Sequence, residues 1–162
     1  MTDQPEPILP EEHAARLLRI SAIARSLGYQ GKLEYRHLHS QSGGAQYCIG
    51  PAADDDIMVL YAKAFERDAD PEEFNLDALI AHECGHHRLH RDPKFQPVRE
   101  QYPGDDYEEI LASFIGAFLL GESVSGEALL WRVSAELSDM GMSNEDVVLT
   151  MVRLQQTVEP LL

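Results

Sequence analysis

Ten consecutive positions, AHECGHHRLH at residues 81–90, hold four histidines, a glutamate, a cysteine and a glycine. His82, Glu83 and His86 form an HExxH within them. On a helix, residues four apart share a face and stand ~6 Å apart along the axis. Two imidazoles so placed can converge on one ion through bonds of ~2.0–2.1 Å. His90 continues the stripe, but ~12 Å along the axis from His82 it cannot share a tetrahedral ion with it. His87 points about a quarter-turn away from His86. His82 and His86 are therefore the candidate metal ligands. Glu83 projects beside the pair, where it can take a proton from water whose pKa zinc lowers toward ~7 and deliver it to a leaving amine. This is the chemistry of a zinc peptidase.

A catalytic zinc takes a third protein ligand and keeps one position for water. The metzincin spacing would need glycine at 89 and histidine at 92, where this chain has Leu89 and Asp92. A thermolysin-like glutamate with aspartate four residues later is also absent, because Ala112 follows Glu108 and Ser113 follows Glu109 at that distance. The stretch DDYEEILASFIGAFLL at residues 105–120 still offers a carboxylate. Its small residues Ala112, Ser113, Gly116 and Ala117 recur at helical spacing, so it can approach the turn at Gly85 closely. A glycine inside a helix costs about 1 kcal/mol against alanine, which itself suggests close packing there. Glu109 is the expected third ligand and Glu108 the alternative. Otherwise Asp106 and Glu109 form a capping box and both glutamates favour the helix N-terminus. Tyr107 is a candidate donor to a developing oxyanion, against an ordinary packing role. His90 is expected to make a supporting hydrogen bond, His87 to be structural, and Cys84 to be a small apolar filler.

These residues need elements to position them. Helical periodicity covers residues 11–27, with Gly28 as a stop. KLEYRHL, AQYCI and DIMVLYA read as three strands separated by SQSGG and GPAADD, giving a small three-stranded sheet. Asp70-Pro71-Glu72-Glu73 reads as the cap of the motif helix over residues 74–90. Residues 91–105 read as loop and residues 107–120 as an apolar helix. Ser125 is the expected cap of a helix reaching Met140, and Ser143 of a last one reaching Val158. Trp131, Val147, Val148, Met151, Val152 and Leu154 are expected in the core, the alternative being a last helix with a face open for dimerisation or a partner. His37 and His39 share a strand face, and the Asp54-Asp55-Asp56 run reads as a solvated acidic turn.

The 162 residues suit one α+β domain from residue 11 onward, preceded by a disordered lead-in at 1–10. A net charge of −15 argues against nucleic acid or anionic membrane as a direct ligand. Two cysteines are too few for a disulfide scaffold, and MTDQPEPILPEEH lacks the basic and apolar regions of a signal peptide. A cytoplasmic location is the expectation.

LIAHECGHHRLH followed by EILASFIGAFLL resembles the ImmA/IrrE-like family of metallopeptidases. Glu109, Ala112, Ser113, Ile115, Gly116, Leu119 and Leu120 fall in register with its second motif. Ser113 stands for asparagine, Ile115 for phenylalanine and Gly116 for alanine, and Gly121 replaces a frequent proline. The resemblance covers about a quarter of the chain directly. It implies a zincin-like fold, with the sheet packed against a helical bundle carrying the HExxH helix. It further implies zinc (Zn2+) on His82, His86 and Glu109, with Glu83 as base. The implied substrate is a helix-turn-helix repressor or antitoxin-like regulator, cut during a stress or prophage response. Monomer and dimer stay open. The competing reading is a regulatory protein that holds a basic DNA-binding partner without cutting it, its zinc being structural.

Overall fold

The computed structural model describes residues 4–40, 43–66 and 75–162. Helix α1, Pro10–Ser26, starts on a proline suited to a first turn and ends where Gly28 takes φ +91°. Tyr29 N–H then closes back on the Ala24 carbonyl at 3.0 Å. Residues 4–9 have no regular structure, yet Glu6 N–H donates to the His37 carbonyl and the Glu6 carboxylate accepts from His39.

Strands β1 (Lys32–Arg36), β2 (Ala45–Cys48) and β3 (Ile57–Tyr61) form one sheet in the order β1-β3-β2. Strand β3 lies in the centre, parallel to β1 and antiparallel to β2. Its residues Met58–Tyr61 are buried, as a central strand's should be. Strand β1 stops at Arg36, short of the expected Leu38, so His37 and His39 lie past it. His37 bonds Tyr35 and His39 bonds Glu6.

A short helix α2, Ala62–Glu66, follows the sheet. Helix α3, Leu76–Arg91, carries the HExxH. Asn75 caps it by accepting from Ala78 N–H. The expected proline-led cap at residues 70–73 lies outside the described residues. Residues 91–105, expected as loop, contain a 3-10 turn at Pro93–Phe95 and helix α4, Gln96–Gln101. Phe95 and Val98 enter the core from this stretch, and that burial makes the segment regular. Helices α5 (Asp105–Leu120), α6 (Val124–Asp139) and α7 (Asn144–Val158) complete the chain.

Two corrections concern α6 and α7. Ser123, not Ser125, caps α6 by accepting from Gly126 N–H, while Ser125 is buried and exchanges hydrogen bonds with Asn75. Val147 and Leu154 are in the core as expected, but Trp131 is 75% exposed, Val148 61% and Val152 46%. The α7 stripe at 147, 154 and 158, with half-buried Met151 beside it, meets the cluster of α5 and α6, and Val148 and Val152 off that stripe face solvent.

One apolar cluster fills the space between α1, the sheet and α3, and a second lies under α5, α6 and α7. Helix α5 passes through the middle and is buried continuously from Ile110 to Ala117. The result is an α+β fold with α3 packed on α5. Among the described residues no helix is long and apolar enough to cross a membrane.

Candidate metal centre

Small side chains let α3 and α5 meet backbone to backbone. A β-carbon on Gly85 would fall 2.0 Å from the Ala112 carbonyl oxygen, and one on Gly116 would fall 2.7 Å from that of Ala81. The close approach expected of Gly85 and the small α5 residues is therefore present. It sets the first turn of α5 beside the histidines of α3.

Three Lewis-basic atoms converge there. Glu109 Oε2 lies 2.8 Å from His82 Nε2 and 3.4 Å from His86 Nε2, and the two Nε2 atoms are 3.1 Å apart. Ligand atoms on one tetrahedral zinc, at bonds of ~2.0–2.1 Å, are separated by ~3.3 Å. The triangle is close to that size, and two imidazoles with a carboxylate are donors zinc accepts. His82, Glu83 and His86 also present ligand atoms within 4.8 Å of one another, a group able to hold a metal ion. Both carboxylates thus face the imidazole pair, and Glu109 closes the tighter triangle.

The outer ring nitrogens are held as well. His82 Nδ1 is 2.8 Å from the hydroxyl of fully buried Ser113. His86 Nδ1 is 2.5 Å from Glu108 Oε2, and His90 Nε2 is 2.7 Å from Glu108 Oε1. Burial acts to raise the Glu108 carboxyl, but hydrogen bonds and charge from His86 and His90 outweigh it and hold it below its ordinary value. An ionised Glu108 only accepts, so His86 Nδ1 donates, and in the neutral ring Nε2 is left as a bare lone pair facing inward. Glu108, the alternative ligand of the sequence reading, therefore orients His86 from behind, and His90 supports it through the expected hydrogen bond.

Glu83 is buried among these groups. Burial raises its pKa, while His82, His86 and the Tyr47 amide pull the other way and Glu109 adds to the rise. For Glu109 the hydrogen bonds from His82 and His86 dominate and keep it well below the usual carboxylate range. Desolvation works against a charged His86, yet Glu108 and Glu109 bring its pKa up to about 10.

A cleft of about 650 Å³ opens over the group. Gln46, Tyr47 and Ile49 form its wall on the β2 side, Leu79 its floor on α3, and Asp105 and Arg132 its far side. Arg132 also pairs with Glu136 at 2.9 Å. Strand β2 is an edge strand, so one row of its backbone groups faces away from β3, next to the cleft.

Tyr107 does not line this cleft. Its ring packs against Tyr102, centroids 5.2 Å apart, on the side of the second apolar cluster, because its place on α5 turns it from the Glu109 face. Cys84 is a buried free thiol in the first cluster, its pKa pushed up to about 12 by desolvation. His87 is structural, with Nδ1 2.8 Å from the Tyr47 hydroxyl and its ring edge-on to Tyr29 and Tyr47.

The least foreseen part is Asp56. It is 1% exposed, not a solvated turn residue. Arg91, the residue directly after His90, grips both its oxygens at 2.7 Å and also donates to the Gly50 carbonyl. Tyr47 OH and Gly50 N–H donate to the same carboxylate. This network ties the end of α3 to the β2 edge beside the cleft. Its partners lie up to 41 residues apart, so no local sequence signal announces it. Asp105, Arg132 and Tyr47 were likewise not singled out from the sequence, although Tyr47 lies within the expected AQYCI strand.

Comparison with family models, curated proteins and solved structures finds no match to this chain.

Proposed function

We propose that this protein is a zinc-dependent endopeptidase of the zincin type, acting in the cytoplasm on a protein partner. The observation that carries the reading is the triangle of His82 Nε2, His86 Nε2 and Glu109 Oε2, with buried Glu83 beside it and a cleft above. When bound there, zinc would acidify water and polarise a carbonyl. Ser113 and Glu108 keep the two imidazoles turned inward, which limits their reorganisation during turnover. Glu83 accepts a proton from the attacking water and returns it to the amine nitrogen as the C–N bond breaks. Its raised pKa suits a group that must hold that proton in between. Apart from the Tyr47 amide, which faces Glu83, the outward edge of β2 offers backbone groups to an extended peptide lying across the cleft.

The resemblance of the two sequence motifs to the ImmA/IrrE-like metallopeptidases supports the same activity and suggests a transcriptional repressor or antitoxin-like regulator as substrate. The test is digestion of a peptide library, and of helix-turn-helix regulators, read by mass spectrometry. Zinc-loaded wild type should cut, and Glu83→Gln should retain zinc and lose cleavage. Equal cleavage by the variant, or none by the loaded wild type, removes the proposal. The second result leaves the non-cleaving binder with structural zinc.

A further inference from the structure

We propose that the surface running from the end of α5 across α6 to α7 is a docking surface for a cationic amphipathic helix of a partner protein. Two adjoining grooves, about 660 Å³ and about 520 Å³, share Glu127 and Leu130 and so run on into one another. The first takes in Phe118 and Val124, the second Trp131 and Met151. Val148 lies one turn before Met151 and Val152 directly after it, both exposed on the outward side of α7. The chain's single tryptophan is thus exposed within a series of exposed and half-buried apolar side chains. Isolated exposed apolar residues are ordinary, but a contiguous groove of them is not.

Charge selects the occupant. Among the described residues no lysine or arginine lines either groove, while Glu122 and Glu127 do. From residue 122 to 159 the chain carries seven carboxylates and two arginines, and one of these, Arg132, lines the metal cleft instead. A second copy of this chain would bring its own share of a −15 charge to the same face. A helix with leucines on one side and lysines on the other meets both features, the apolar floor and the acidic rim, and fits a groove between two helices. This docking is independent of zinc and of the peptidase reading.

Trp131 reports on its own surroundings, since no other tryptophan is present. A synthetic amphipathic peptide of about 18 residues, with leucines at helical spacing and lysines elsewhere, is titrated into the full chain. The expected result is a shift of tryptophan emission to shorter wavelength, weakened by salt. The Val148→Lys/Val152→Lys double variant, changed only at exposed positions, should bind at least tenfold more weakly with an unaltered circular dichroism spectrum. A glutamate-for-lysine version of the peptide should not bind. Equal binding of both peptides, or of the double variant, overturns the proposal. So does a concentration-dependent emission shift of the protein alone accompanied by dimers in sedimentation, which assigns the face to a second copy.

Discussion

The carbonyl oxygen of Ala112 stands 2.0 Å from the point a β-carbon on Gly85 would occupy. The obstacle is backbone within a continuously buried helix, so it has little freedom to move aside. Gly85→Ala therefore sets a helix-propensity gain of about 1 kcal/mol against overpacking that costs about 3 kcal/mol. The expected net loss is about 2 kcal/mol, read from urea denaturation of the metal-free protein. Metal retention should fall as well, because α3 and α5 must separate and Glu109 moves with α5. A variant as stable as wild type would mean that the helices do not meet this closely.

Glu109 and Glu108 are neighbours with different tasks, and substitution should separate them. Glu109→Ala removes the oxygen that faces both Nε2 atoms, so zinc content after dialysis should fall to background. Glu108→Ala leaves the three inward atoms and frees His86 Nδ1, so affinity should fall about 10–100-fold without being abolished. Elemental analysis and a competing chelator measure both. Full zinc in Glu109→Ala would strike out the ligand assignment, and a Glu108→Ala loss equal to that of Glu109→Ala would exchange the two roles.

The parts of this site legible in the sequence are those fixed by helical spacing. His82 and His86 one turn apart, the small face of α5 and His87 turned a quarter-turn from His86 all follow from a 3.6-residue repeat. The choice between adjacent Glu108 and Glu109 does not, because it depends on the rotation of α5 against α3, which Gly85 and Gly116 set through contacts with Ala112 and Ala81. Ser123 and Ser125 are both plausible caps by type, and only the pairing of Ser125 with Asn75 decides between them. Apolarity alone places Trp131 in the core, whereas burial depends on which stripe of α6 has a neighbour. Asp56 departs from expectation for a related reason: an acidic turn is normally solvated, and the arginine that pairs with it comes from another element.

Metal uptake should release protons. In the metal-free protein the pKa of His86 is brought to about 10 by Glu108 and Glu109 in spite of burial, so near neutral pH Nε2 carries a proton. An ion taking that nitrogen must displace it. Zinc titration by calorimetry in buffers of different ionisation enthalpy should report release of about one proton from this ring. A raised folded-state value also gives stability that is full below the unfolded pKa of ~6.5 and is lost as pH rises through the folded one. The metal-free protein should therefore lose stability between about pH 6.5 and 10. Buffer-independent binding enthalpies would contradict the assignment.

Asp56 should control the acid limb of stability. The Arg91 guanidinium chiefly, opposed by burial and aided by Tyr47 and the Gly50 amide, holds its carboxyl well below the ordinary range. A depressed folded-state value contributes stability that is complete above the unfolded pKa of ~3.9 and disappears as pH falls below it. Asp56→Asn keeps the shape but removes the charge facing Arg91, and should cost about 3 kcal/mol at neutral pH. Below about pH 4 that difference should shrink, because the carboxyl then takes up a proton in the unfolded wild-type chain while the folded protein still excludes it. Glu108 and Glu109 also have lowered values and give the metal-free chain an acid slope of their own, so the comparison rests on the difference between wild type and variant. Arg91→Lys, which retains the charge but not the two-oxygen grip, should fall between them. Parallel stability curves for wild type and Asp56→Asn from pH 7 to about 3 would show that the ion pair does not anchor α3 to the β2 edge.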